Sequence, residues 1–282
     1  MILTLLGGSD YCISRPQETK GSRALLHGVV DPTAISCAPS GAMFILDRGS
    51  SEILRYTVDG TVSARAGGFG GGEDGFDSPT DINAVSDLQV LVADYGNNRL
   101  VLYDAALNRT EIISADGNGT GDRLFGYPRS AAVDRYGAVY IIDGENIRIV
   151  KIDRMRKLER TFGGAEAGKG RLKKPTRIRI GDDDRVYVVD GSHIVTFDVF
   201  GNFLQTHALA DTGKSIFLLV GTDGFVAADD TLRSLQGDRA IALRGNERVG
   251  VIRDIAWSGG RIFVLGDSTV YRFPFPGRED GK

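Results

Sequence analysis

Short apolar runs alternate with polar turns along this chain, and the alternation has a long period. Six runs end in aspartate: MFILD (43–47), VLVAD (90–94), VYIID (139–143), VYVVD (186–190), FVAAD (225–229) and IFVLGD (262–267). Their aspartates stand 47, 49, 47, 39 and 38 residues apart. A second marker keeps the same beat: Pro32, Pro79, Pro128 and Pro175 each precede a short strand, at steps of 47, 49 and 47. A recurrence of roughly 40–50 residues marks stacked or radial repeats, each unit too small to bury its own apolar faces.

Each clear unit reads as four strands. In the second, PTDINAV places apolar residues on alternate positions, SDLQ turns the chain, and VLVAD is apolar throughout, as a strand buried on both faces must be. YGNN turns again, RLVLYD alternates, and RTEIIS after a further turn is the fourth and weakest strand. A Gly-rich loop returns to the next proline. Four antiparallel strands per unit and six units predict an all-β, six-bladed β-propeller. The expected blades are 32–78, 79–127, 128–174, 175–213, 214–249 and 250–275 plus 1–31, with 276–282 as a flexible tail. The last unit supplies only three strands. ILTLLGG (2–8) resembles the fourth strands SARAGG (63–68) and RTFGG (160–164), so an N-terminal strand is expected to close the last blade and remove a free edge.

The core LVADYGNNRLVLYD, followed by VYIIDGENIRIVKID, VYVVDGSHIVTFDVFGN and MFILDRGSSEILRYTVDG, resembles the NHL repeat, well over residues 32–205 and weakly over 206–249. The resemblance implies a propeller and leaves function open. NHL propellers include RNA-binding and protein-binding modules, ligand-sensing domains and a metal-dependent amidating lyase, and related six-bladed propellers include lactonases.

With 41% hydrophobic and 25% charged residues, the chain has enough apolar content for a sizeable core. Thirty-eight glycines fit many tight turns. No apolar run approaches the roughly 18 residues of a membrane span. Cys12 and Cys37 make no disulfide framework, and Cys37 is expected as a buried free thiol. A start directly at the closing strand is what a removed leader would leave, which favours a periplasmic or extracellular location without settling it. A monomer is expected.

Candidate chemistry is sparse. One residue type repeated around a ring suits a local structural need better than catalysis, so Asp47, Asp94, Asp143, Asp190 and Asp229 are read as turn ties. GGFGGGEDG (67–75) looks like a phosphate loop but lacks the lysine and the following helix, and reads as a flexible connection. His27, His193 and His207 fall in different parts of the unit and form no ligand motif, whereas the resembled lyase relies on histidines for zinc. Asp81, Asn83 and Glu145 are the weak candidates for the acidic and amide set of the lactonase relatives, with a divalent cation in the central channel. No catalytic residue and no other cofactor is assigned.

Charge is uneven. Residues 128–174 carry twelve Lys/Arg and six Asp/Glu, +6 in a chain of net −3. Strand direction puts the loops after strands two and four on one face, here called the top. Arg129, Arg148, Lys169, Arg171, Lys173, Lys174 and Arg177 are the expected ligand- or partner-binding candidates there, facing a protein or other acidic ligand. The resulting expectation is a non-enzymatic binding or scaffold module. The alternatives are a metal-dependent lyase or lactonase-like hydrolase at the channel, and RNA binding through the basic patch. RNA would want aromatics beside the charges, for which Tyr95, Phe125 and Tyr127 are nearest.

Overall fold

The structure is a computed structural model that describes residues 17–20, 22–26, 28–57, 59–116, 123–209, 216–220, 223–228, 231–235, 239–244 and 251–275. Two short strands come first, β1 (Gln17–Lys20) and β2 (Ser22–Leu25). Blade one is β3–β6 (Pro32–Cys37, Met43–Asp47, Glu52–Tyr56, Val62–Gly67) and blade two is β7–β10 (Pro79–Ala84, Gln89–Asp94, Arg99–Asp104, Arg109–Ser114). Blade three is β11–β14 (Ala131–Val133, Val139–Asp143, Arg148–Ile152, Leu158–Phe162) and blade four is β15–β18 (Pro175–Ile180, Arg185–Asp190, His193–Asp198, Phe203–Ala208). Blade five is β19–β22 (Ile216–Val220, Asp223–Ala228, Thr231–Ser234, Ala240–Arg244), and blade six contains β23–β25 (Asp254–Ser258, Arg261–Leu265, Thr269–Pro274). The protein is a six-bladed β-propeller, as the repeat predicts. No described helix is long and apolar enough to cross a membrane.

The apolar second strands have a direct physical reason. Successive side chains of a strand point to opposite faces, and each face of a blade meets a different neighbour. In β8, Val90 and Val92 pack with Phe44, Leu46 and Ile53 of blade one. Leu91 and Ala93, one residue out of step, pack with Val139 and Ile141 of blade three. In β12, Tyr140 and Ile142 turn the other way, onto Val186, Val188 and Phe197 of blade four. Tyr187 and Val189 meet Val226 of blade five. Phe225 and Leu232 meet Ile255 and Ile262 of blade six, and Phe263 and Leu265 meet Ile45 and Leu54 of blade one. Each seam between neighbouring blades thus has its own apolar cluster, and the last of them closes the ring.

Closure involves the N-terminus, but not at the expected residues. Ser22–Leu25 pairs antiparallel with β25 and completes blade six. Residues 2–8, expected in that place, lie outside the described residues. The chain ends also do something the repeat did not predict. β1 adds to blade five parallel to β22, with Gln17 opposite Ile241 and Lys20 opposite Arg244, so this blade has five strands. Two consecutive short strands therefore pin the N-terminal segment to both of the last blades.

Turn chemistry follows the repeat register, with one exception. Ser51, Asn98 and Ile147 each stand one residue before a third strand, in the left-handed region at φ 55°, 51° and 52°. Asparagine tolerates that conformation, whereas a β-branched residue there is strained by about 1–2 kcal/mol. Ile147 is 42% exposed, so it offers little packing in return. We expect Ile147→Asn to stabilise the protein by about 1 kcal/mol, read as a higher urea midpoint at unchanged slope. A lower midpoint would show that Ile147 packing outweighs backbone strain.

Candidate functional site in the central channel

The repeated aspartates do a structural job that reaches beyond their own turns. Val30, Asp77, Gly126 and Lys173 each lie 17 residues before an aspartate. Their backbone N–H groups donate to Asp47, Asp94, Asp143 and Asp190 at 2.7, 2.9, 3.0 and 2.9 Å. The carboxylate at the end of strand two therefore holds the return loop that enters strand one of the same blade. In blade two the same carboxylate also accepts from Asn97 Nδ2 (2.8 Å) and Arg99 Nε (2.7 Å). Burial pushes the Asp94 carboxyl up, against the opposing pull of these donors. Gly96 fits because a Cβ there would lie 2.5 Å from the Asp77 side chain. Asp229 lies outside the described residues. Asp267, one residue late in the repeat, instead accepts from Arg253 Nε at 2.7 Å.

The Gly-rich loop of blade two is bonded rather than loose, which corrects the expectation of a flexible connection. Arg99 Nη2 donates to the carbonyls of Gly72 (2.9 Å) and Gly75, and Asn97 Nδ2 donates to that of Gly70 at 3.0 Å. Its carbonyls point at a guanidinium, the opposite polarity from a loop that presents N–H groups to phosphate.

The chemically distinctive place is the channel. Inner strands β7, β15 and β23 bring Asp81, Arg177, Arg179 and Asp254 together around the axis. Arg177 and Arg179 are two apart on one strand, so both point inward. Arg179 donates from Nη1 and Nη2 to the two oxygens of Asp81 at 2.7 and 2.9 Å. Arg177 makes the matching two-pronged contact with Asp254, 2.9 Å at Nη2, and lies 3.6 Å from Asp81. Ser130 Oγ donates to Asp81 and accepts from the Ile178 N–H at 3.0 Å. Asp254 also accepts from the Ile35 N–H at 2.9 Å. Two cations thus face two carboxylates, and the cluster is neutral. Burial pushes the Asp81 carboxyl up, but the charges of Arg179 and Arg177 and the bonds from Arg179 and Ser130 outweigh it and hold the group below its ordinary value. Burial likewise opposes the charge on Arg177, and Asp254 and Asp81 more than restore it.

A cavity of about 230 Å³ adjoins the cluster, lined by Ser36, Cys37, Asn83, Arg179 and Trp257 among others. Cys37 is a free thiol. Burial, and after it the Asp254 charge, push that thiol up from its usual range.

The sequence candidates separate in space. Asp81 and Asn83 both face the channel, but Asp81 is held by arginines and Asn83 Nδ2 contacts the Ala131 carbonyl at 3.4 Å. Glu145 stands apart and pairs with Arg123 at 3.2 Å. Arg148 donates to Asp143 at 2.9 Å, and Arg177 belongs to the channel. The Arg129 guanidinium lies 5.6 Å above the Tyr95 ring, which is 5.3 Å from that of Tyr127. Lys169, Arg171, Lys173 and Lys174 are exposed on the return loop. Asp254 and Ser130 were not singled out from the sequence. The available signal was TRIRI, where two arginines alternate with isoleucine on an inner strand and so require buried counter-charges. His193 is exposed, His207 lies on β18, and His27 is outside the described residues. No three potential metal ligands cluster among the described residues.

No family model matches the sequence, and no curated protein matches it significantly. Solved structures do match over nearly the whole chain. Virginiamycin B lyase from Staphylococcus aureus aligns with TM-score 0.61 and 12% identity, covering 91% of this chain and 99% of that one. A streptogramin B lyase aligns with TM-score 0.61 and 11% identity, covering 90% and 97%. A gluconolactonase from Xanthomonas campestris aligns with TM-score 0.66 and 12% identity, covering 91% and 90%. At such identity the likeness establishes the six-bladed fold. It also corrects the expectation of a non-enzymatic scaffold, because these full-length neighbours are enzymes.

Two outcomes follow from the cluster. Asp254→Ala leaves Arg177 without its carboxylate and should cost about 3–5 kcal/mol, whereas the double replacement Arg177→Met/Asp254→Leu should cost much less; paired urea titrations measure the difference. Because the folded Asp81 carboxyl titrates below its ordinary 3.8, its ionised form stabilises the fold fully above that value. This stabilisation is lost as pH falls through the folded value. Asp81→Asn should therefore flatten the acid limb of stability below about pH 4. A limb as steep as in the parent protein would assign acid unfolding to other groups.

Proposed function

We propose that the protein is an enzyme of the lyase or lactone-hydrolase kind, working at the central channel of an NHL-type propeller. The observation that carries this reading is the convergence of Asp81, Arg177, Arg179 and Asp254 from blades two, four and six beside a polar cavity. Full-length likeness to virginiamycin B lyase, streptogramin B lyase and a gluconolactonase supports it, and the repeat motifs support the NHL assignment.

Guanidiniums held in place by carboxylates are preorganised donors, suited to stabilising negative charge as it develops on a carbonyl or enolate oxygen. Asp81 and Asp254 hold both arginines in place beside the cavity. A divalent cation does not fit the described channel residues. The Asp81 oxygens are taken by Arg179 and Ser130 and those of Asp254 by Arg177 and the Ile35 amide, while Glu145 is elsewhere. No step is therefore assigned to a metal.

The test is to incubate the purified chain with gluconolactone, other five- and six-membered lactones and virginiamycin B. Acid release is followed by pH-stat and products by mass, with added divalent cations and with chelator. Turnover of at least one substrate is expected, falling by about 100-fold or more in kcat/KM for Arg179→Lys. Inactivity on every substrate under both conditions would sink the proposal.

A further inference from the structure

A second cavity lies away from the channel. A groove of about 750 Å³ runs between the outer strand of blade three and the outer hairpin of blade four, within the roughly 300–1,000 Å³ of small-molecule sites. Its floor is aromatic. The Phe162 and Phe197 rings are 5.0 Å apart at 63°, and Phe197 and Phe203 are 6.4 Å apart at 79°. Phe197 is buried, while Phe162 and Phe203 are half-buried. Gly170 packs closely on these residues, since a Cβ there would come within 2.9 Å of Phe197 and 3.0 Å of Phe203.

The groove walls carry Arg148, whose charge Asp143 already meets, and Arg160 against Glu166. Arg148 is fixed through Nε to Asp143 and through Nη2 to the Leu124 carbonyl, which leaves Nη1 uncommitted among the described residues. Arg160 is anchored by Nη1 to the Phe200 carbonyl, which leaves Nε and Nη2 uncommitted in the same sense. Three donor nitrogens, one on Arg148 and two on Arg160, thus remain uncommitted among the described residues on the walls of an apolar-floored groove.

We propose that this groove is a binding site for a small aromatic monoanion, its ring on Phe162 and Phe203 and its carboxylate or sulfonate on Arg160 and Arg148. The site shares no residue with the channel cluster and stands whether or not the channel is catalytic.

The probe is 1-anilinonaphthalene-8-sulfonate, titrated by fluorescence against the full folded chain, with 3-phenylpropionate and 2-phenylethylamine as competitors of opposite charge. Saturable one-to-one binding is expected, displaced by phenylpropionate and not by phenylethylamine. Arg160→Glu should weaken it at least about 10-fold, the scale of one charged hydrogen bond. Gly164→Leu should abolish it by filling the groove. A Cβ at Gly164 meets nothing closer than Arg148 Cβ at 3.6 Å and its φ is ordinary, so the fold should tolerate the change; an unchanged melting temperature checks this. Unsaturable binding, equal displacement by the amine, or parent-like binding in both variants would overturn the assignment.

Discussion

Every inner strand of a propeller has one edge with no partner strand, and that edge faces a narrow channel. Its N–H and C=O groups must be satisfied some other way. Here side chains of neighbouring blades do it. Asp254 of blade six takes the Ile35 N–H of blade one, Ser36 of blade one takes the Ala84 N–H of blade two, and Ser130 of blade three takes the Ile178 N–H of blade four. Thr80 and Asn83 of blade two donate to carbonyls of blade three. The charged cluster follows from this constraint. A carboxylate recruited to bond a buried amide needs a counter-charge, and Arg177 supplies it for Asp254. Arg177 and Arg179 together then need Asp81. The channel chemistry and the closure of the ring are one network.

A second set of bonds works at the top of blades one to four. The aspartate ending strand two reaches back to an amide 17 residues earlier, so the return loop and the second strand are locked together within a blade. That leaves the exposed parts of the loops free to differ. The differences are where blade three carries its excess of cations and where the groove beside blade four opens. Repeat positions build the frame, and departures from the repeat make sites.

The N-terminal segment shows how closure can spread over two blades. β2 completes blade six, and β1 continues onto blade five as a parallel fifth strand. A blade edge left bare invites pairing with another chain. Two edges are covered here by one short stretch of sequence, and no covalent bond between the described parts is needed to hold the ring shut.

What the amino-acid sequence determined alone is the architecture and the role of its repeated residues. The four-stranded unit, the count of six units, and the structural reading of Asp47, Asp94, Asp143 and Asp190 were all legible, because local periodicity and repeat spacing encode them directly. Closure by an N-terminal strand was legible in kind. Its residues were not, because any short β-prone segment near the terminus can pair with an open edge, and only the geometry of the edge selects Ser22–Leu25. The pairing of charges in the channel was not legible for a related reason. Asp81 and Arg179 are 98 residues apart, and Arg177 and Asp254 are 77 apart. Charges that look like surface residues in one dimension become buried partners when three blades bring their inner strands to one axis. Arg148 and Arg177, read from sequence as exposed cations, were assigned by tertiary contact to carboxylates, and the Phe-floored groove exists only where two blades meet.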